Sequence, residues 1–178
     1  MSTLTSDDPA TREALGVLHY ALARLDPALR ADLRRVVADP GIDGAAGLTV
    51  GVYVTHPEQP DRRCACPVTA MLLLRGETSW EDLARCQRAG SFDVLHETPS
   101  WSKADVNDLL NLICALDLVA EAAGWAVSDH GPRNPRRAAA VLRVLLGRML
   151  DQLAATSTCQ ATPARAGAGR GAAGGWAS

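Results

Sequence analysis

The sequence predicts a mainly α protein, a compact bundle of about six helices with at most a small β-ribbon, followed by a disordered C-terminal tail. Three observations carry that prediction. Apolar residues recur at helical spacing over most of the chain, capping residues and prolines mark the starts of these segments, and only one stretch is β-branched enough to read as a strand. The 178 residues, 47% apolar and 21% charged, have the composition of one globular domain with room for a core that needs neither disulfides nor a structural metal.

Pro9 after Asp8, Pro27 after Asp26 and Pro135 after Asn134 each place a proline in the first helical position, where its missing N–H costs nothing, behind a side chain able to cap. They predict helices over 8–25, 27–38 and 135–155. A Gly-rich turn is expected at 40–47. Ser79 with Asp82 and Ser102 with Asp105 have the spacing of a capping box and start helices at 80–89 and 103–123, and a further helix is expected at 67–75. Gly76, Gly90 and Gly124 follow three of these segments, where a residue at positive φ closes the last turn.

The one strand-like run, Leu48 to Thr55, needs a partner, either Arg62 to Ala65 across the intervening turn or Trp125 to Ser128. From Thr156 the branched apolar residues give out, which divides the chain into a helical domain over 1–155 and a flexible Ala/Gly-rich tail over 156–178. The helix at 103–123 is apolar around most of its circumference and is expected at the centre of the bundle.

Several functional classes drop out. The first residues have neither a basic start nor an apolar stretch, so no secretory or transit signal is expected. The most apolar segment, Leu109 to Ala123, is interrupted by Asn111, Asp117 and Glu121, and no membrane association is expected. Five cysteines, an odd number, read as thiols in a reducing cytoplasm rather than as a disulfide framework. A single lysine against seventeen arginines is the residue usage of a GC-rich, actinobacterial coding sequence. No cofactor motif is present, and no cofactor is expected.

Charge is sorted along the chain: residues 76–129 sum to −7 and residues 130–178 to +6, within a total of −2. On a helical wheel Arg136, Arg137, Arg143 and Arg148 fall on one side of the last helix, opposite its leucines. This side is either a solvated face or a contact surface. A protein partner ranks ahead of nucleic acid, because the whole is near neutral and no DNA-binding pattern is in register.

Two clusters have chemical potential. Asp117 and Glu121 lie one turn apart on the 103–123 helix and form a candidate buried acid pair, or simply an ion-paired bundle edge. Cys64 and Cys66 sit at a helix start behind Arg62 and Arg63, where the helix dipole and two guanidiniums favour a thiolate, and with His56, Cys86 or His96 they could ligate zinc. The bland alternative is that both cysteines are small apolar residues seating the helix.

The run Cys64-Ala65-Cys66-Pro67-Val68-Thr69-Ala70-Met71 resembles a family of small, uncharacterised actinobacterial and actinophage proteins with a helix start of the form C-x-C-A-L-G-A-L. Pro67-Val68-Thr69 stand where that family has Ala-Leu-Gly. The resemblance implies no activity and no catalytic residue. The sequence therefore points first to a helical interaction or regulatory module working through a charged helix face, and second to a small thiol- or metal-dependent enzyme or sensor using Cys64 and Cys66. It leaves the oligomeric state open.

Overall fold

The computed structural model describes residues 8–38, 47–56, 58–59, 62–91, 93–125, 127–128, 131–132 and 135–160. Within them are seven helices, α1 (Pro9–Arg24), α2 (Pro27–Ala38), α3 (Pro67–Arg75), α4 (Trp80–Ala89), α5 (Asp93–His96), α6 (Lys103–Ala122) and α7 (Pro135–Gln160). The mainly α prediction is correct, and all but the one-turn α5 were anticipated.

Local chemistry accounts for the boundaries. Asp8 accepts the Thr11 N–H at 2.8 Å, which holds its carboxyl below the usual range, and Asp26 accepts the Ala28 N–H at 2.8 Å. Ser79 accepts the Asp82 N–H at 3.1 Å. At α6 the box is reciprocal, with Asp105 N–H donating to Ser102 Oγ and Ser102 N–H to the Asp105 carboxylate. The three glycines close their helices at φ of 69°, 64° and 64°. In each case the next residue's N–H reaches back to a carbonyl of the last turn, as Glu77 does to Leu72, Ser91 to Cys86 and Trp125 to Ala120.

One predicted helix end moves by more than a residue. The last helix continues past 155 to Gln160, and Thr156 at that junction turns its hydroxyl onto the Leu153 carbonyl at 2.9 Å. The remainder of the expected tail, 161–178, and most of the expected 40–47 turn lie outside the described residues.

The single strand over 48–55 is two short ones, β1 (Gly47–Leu48) and β2 (Val54–Thr55), flanking β3 (Cys64–Ala65). β1 runs parallel to β3 and β2 antiparallel to it, so Arg62 to Ala65 supplies the partner as one alternative proposed. Between them the chain loops out through Gly51 at φ 75°. Val127–Ser128 (β4) pairs instead with Gly131–Pro132 (β5). The bare backbone of Gly47 lets α7 come close, since a Cβ there would stand 3.3 Å from that of Ala139.

The expectation that the 103–123 helix is the centre is corrected. α6 packs against α1 and leaves Asn107, Asn111, Cys114, Leu118 and Glu121 exposed along one edge. The helix buried on every side is α3, whose residues Pro67 to Leu73 are all buried among α2, α6 and the ribbon. Its nine residues contain no charge before Arg75, whereas α6 spaces polar residues at helical intervals.

Truncation should separate the two helices. Leu72→Ala, at a fully buried site of α3, is expected to cost about 2–5 kcal/mol, against about 0.5 kcal/mol or less for Leu118→Ala on the open edge of α6. Urea unfolding of both variants measures this.

Candidate functional site

Four features bear on function: the cysteine-bearing start of α3, a cavity beside it, the outer face of α7, and the seam between α1 and α6.

At the start of α3 the cysteines have a structural task. Cys66 is the N-cap and its Sγ accepts the Thr69 N–H at 3.4 Å. Cys64 is buried in β3 with its Sγ 3.7 Å from the Arg62 carbonyl. Burial pushes both thiols up, and at Cys66 it outweighs the hydrogen bond that the Thr69 N–H donates. The expected activation is therefore reversed. The helix start is desolvated, and Arg63 is drawn away to stack its guanidinium 4.5 Å from the Trp80 ring centroid.

The zinc reading fails on geometry. No group of three or more His, Cys, Asp or Glu that could hold a metal occurs among the described residues. His56 is exposed in the turn after β2 at φ 47°, His96 is exposed at the end of α5, and Cys86 is half-buried in α4.

A small cavity of about 100 Å³ lies between the 50–53 loop, Cys66 and α6, lined also by Tyr53, Ile113, Leu116 and Asp117. It unites two candidates that the sequence kept apart, Cys66 and Asp117. The Asp117 carboxylate accepts the Gly51 N–H at 3.0 Å and so fixes the loop; desolvation nevertheless raises its pKa, the hydrogen bond only opposing this. Tyr53, which no motif singled out, is raised by burial and ties the cavity to α3 through its carbonyl. The proposed buried pair with Glu121 does not form. Glu121 is exposed one turn on and faces α1 rather than the loop.

On α7 the three arginines whose side chains are described do not share one face. Arg137 and Arg148 are exposed on the outer surface with Val144 between them, itself 54% exposed. Arg143 is half-buried on the flank, and its Nε is shielded from solvent without an acceptor in the structure. The side chain of Arg136 lies outside the described residues.

The seam between α1 and α6 was missed by the sequence analysis. Two adjoining concavities of about 460 and 340 Å³ run along it and share Val17 and Leu118. Val17 (39%), Tyr20 (64%) and Leu118 (44%) are three of the four large apolar side chains exposed among the described residues. The floor of the seam is alanine, which reads in sequence as helix former and gives no sign of a groove.

The chain matches no protein-family model, no curated protein and no solved structure.

Two outcomes follow. In the folded protein a thiol reagent followed by peptide mapping should leave Cys64 and Cys66 untouched until denaturant is added; rapid native labelling of Cys66 would contradict its burial. For Asp117, a folded-state pKa above the unfolded value means the native state holds the proton more tightly, so the contribution to stability is greatest at low pH and is lost as pH rises through the raised value. Asp117→Asn keeps an acceptor for Gly51. It should unfold at higher urea than the parent at pH 7, with the difference shrinking as pH falls toward 4.

Proposed function

We propose that the chain is a helical interaction module that captures an acidic protein surface through the outer face of α7. The observation that carries this is Val144, a large aliphatic side chain left 54% exposed between Arg137 one way and Arg148 the other. At seven and four residues' separation the three lie on one helical stripe, an apolar anchor with a cation at each end. Such an arrangement suits a partner that presents an apolar patch rimmed by carboxylates, with the charges steering encounter and the valine supplying desolvated contact. The exposed acid on this stretch, Asp151, is engaged by Arg34 at 3.3 Å.

A protein partner is favoured over nucleic acid because the chain as a whole is acidic, with a sequence pI near 6.1, and two outward arginines neutralise few phosphates. The reading includes a reducing, cytoplasmic setting, supported by the free thiols of Cys64, Cys66, Cys86 and Cys114. The thiol- or metal-dependent alternative has lost its support: its two central cysteines are buried and raised. No described helix is long and apolar enough to cross a membrane.

A photo-crosslinking residue placed at Val144 should capture a partner in the cells that make this protein, and the adduct should fall about tenfold or more when Arg137→Ser and Arg148→Ser are added or salt is raised. No adduct at Val144, or an adduct indifferent to both arginines, would reject the reading.

A further inference from the structure

We propose that the α1–α6 seam is a two-fold interface at which a second copy of this chain docks. The proposal is independent of the α7 face, with which the seam shares no residue.

The two helices run antiparallel, as the lining of the seam requires. Ala10 and Glu13 of α1 stand beside Glu121 and Ala122 of α6 at one end, and Tyr20 and Arg24 stand beside Asp108, Asn111 and Cys114 at the other. Val17 and Leu118 mark the middle. The polar groups around this apolar centre are not distributed at random. One end carries the carboxylates of Glu13 and Glu121, which only accept hydrogen bonds. The other is rich in donors, the Arg24 guanidinium, the Tyr20 hydroxyl and the Asn111 amide, its one carboxylate, Asp108, being mostly buried and bound to Arg24. Arg24 is half-exposed while bonded to Asp108 at 2.9 Å, and it stands 6.0 Å from the Tyr20 ring centroid, so it is held in place along the seam with N–H groups to spare.

A surface with acceptors at one end, donors at the other and an apolar middle is complementary to itself turned through 180°, which is the requirement of an isologous interface. The spacing fits. At 1.5 Å per residue Glu13 lies about 6 Å from Val17 along the axis and Arg24 about 10.5 Å on the opposite side, so an antiparallel copy centred on Val17 brings the pair within about 4.5 Å along the axis. An arginine side chain spans that. Glu121 lies three residues from Leu118 and Tyr20 three residues from Val17, which sets the carboxylate of one copy level with the phenol of the other, at about 4.5 Å from the centre on each helix. The Val17 and Leu118 side chains of both copies then close over the alanine floor, and α1 and α6 with their symmetry mates complete a four-helix bundle.

The test is the solution mass of the full chain and of charge-reversed variants. Sedimentation up to about 100 μM, enough to detect any association of micromolar strength, should give twice the 18.8 kDa chain mass. Leu118→Glu, at an exposed position, should raise the dissociation constant at least about tenfold while circular dichroism stays unchanged. E13R alone sets cation against Arg24 at both symmetry-related contacts, and R24E alone sets anion against Glu13; each should be monomeric. A mixture of E13R with R24E restores opposite charges at both contacts, and native mass spectrometry should show the heterodimer in preference to either homodimer. A monomeric parent chain, a dimer indifferent to L118E, or no preference in the mixture would each overturn the proposal. A foreign amphipathic helix as the true occupant would appear as the first of these.

Discussion

A helix that is buried on every side must have the N–H groups of its first turn met from inside the protein, and the arrangement around α3 is the solution to that constraint. Pro67 has no N–H to satisfy. The Cys66 thiol takes up the Thr69 N–H, and the Tyr53 carbonyl accepts both the Cys66 N–H at 2.9 Å and the Thr69 hydroxyl at 2.8 Å. Tyr53 can serve only because the 49–53 loop curls back between β1 and β2, and that loop is held open at Gly51 by Asp117 of α6. One unmet buried donor would cost about 1–3 kcal/mol, so the ribbon, the loop and α6 are placed by what α3 requires. The cavity at Cys66 is a consequence of this clasp. Desolvation pushes the pKa of both its acid and its thiol up.

The sorting of charge along the chain takes on a different meaning in space. Much of the acidity between 76 and 129 is spent within the fold. Asp82 and Asp105 sit in the first turns of α4 and α6, Asp117 holds the loop, Asp108 binds Arg24, and Glu77 lies 3.9 Å from Arg75. Arg75 in turn reaches Asp32 of α2 at 2.6 Å and Ser100 at 2.7 Å, which locks the exposed end of the buried helix to its neighbours. Charge segregation in sequence is thus not charge segregation on the surface. The cations of α7 are different in kind, because their helix packs against α2 and β1 and leaves Arg137, Val144 and Arg148 exposed.

Features decided within a few residues were legible in the sequence, and features decided by burial were not. A proline behind an aspartate, a serine three residues before an aspartate and a glycine past an apolar run act through backbone geometry, and all of those within the described residues act as read. The centre of the fold was misplaced because α6 looks apolar over a long run, while the nine residues of α3 owe their burial to partners that only tertiary packing supplies. The cysteines illustrate the same limit. A helix start lowers a thiol pKa and burial raises it; sequence shows the first influence and hides the second, which is the larger here. Arg143 looked equivalent to Arg148 on a wheel, yet the approach of α2 along one flank of α7 leaves the two in different surroundings.

The abundance of alanine shows how composition alone can mislead. It reads as the mark of a GC-rich coding sequence, neutral to mechanism, and in α3 and α7 leucine and methionine do the filling. Along the α1–α6 seam the small residue has a specific consequence. Ala14, Ala21 and Ala115 are buried at the floor with Ala10 and Ala122 beside them, so the two helices approach closely but bring too little side chain to close the surface above them. Leucine at these positions would have filled the two concavities from within. With alanine there, Val17, Tyr20 and Leu118 are the only large apolar groups on the seam, and they project outward because there is nothing beneath them deep enough to enter. A helix pair built this way is complete as a scaffold and leaves two concavities open above its alanines.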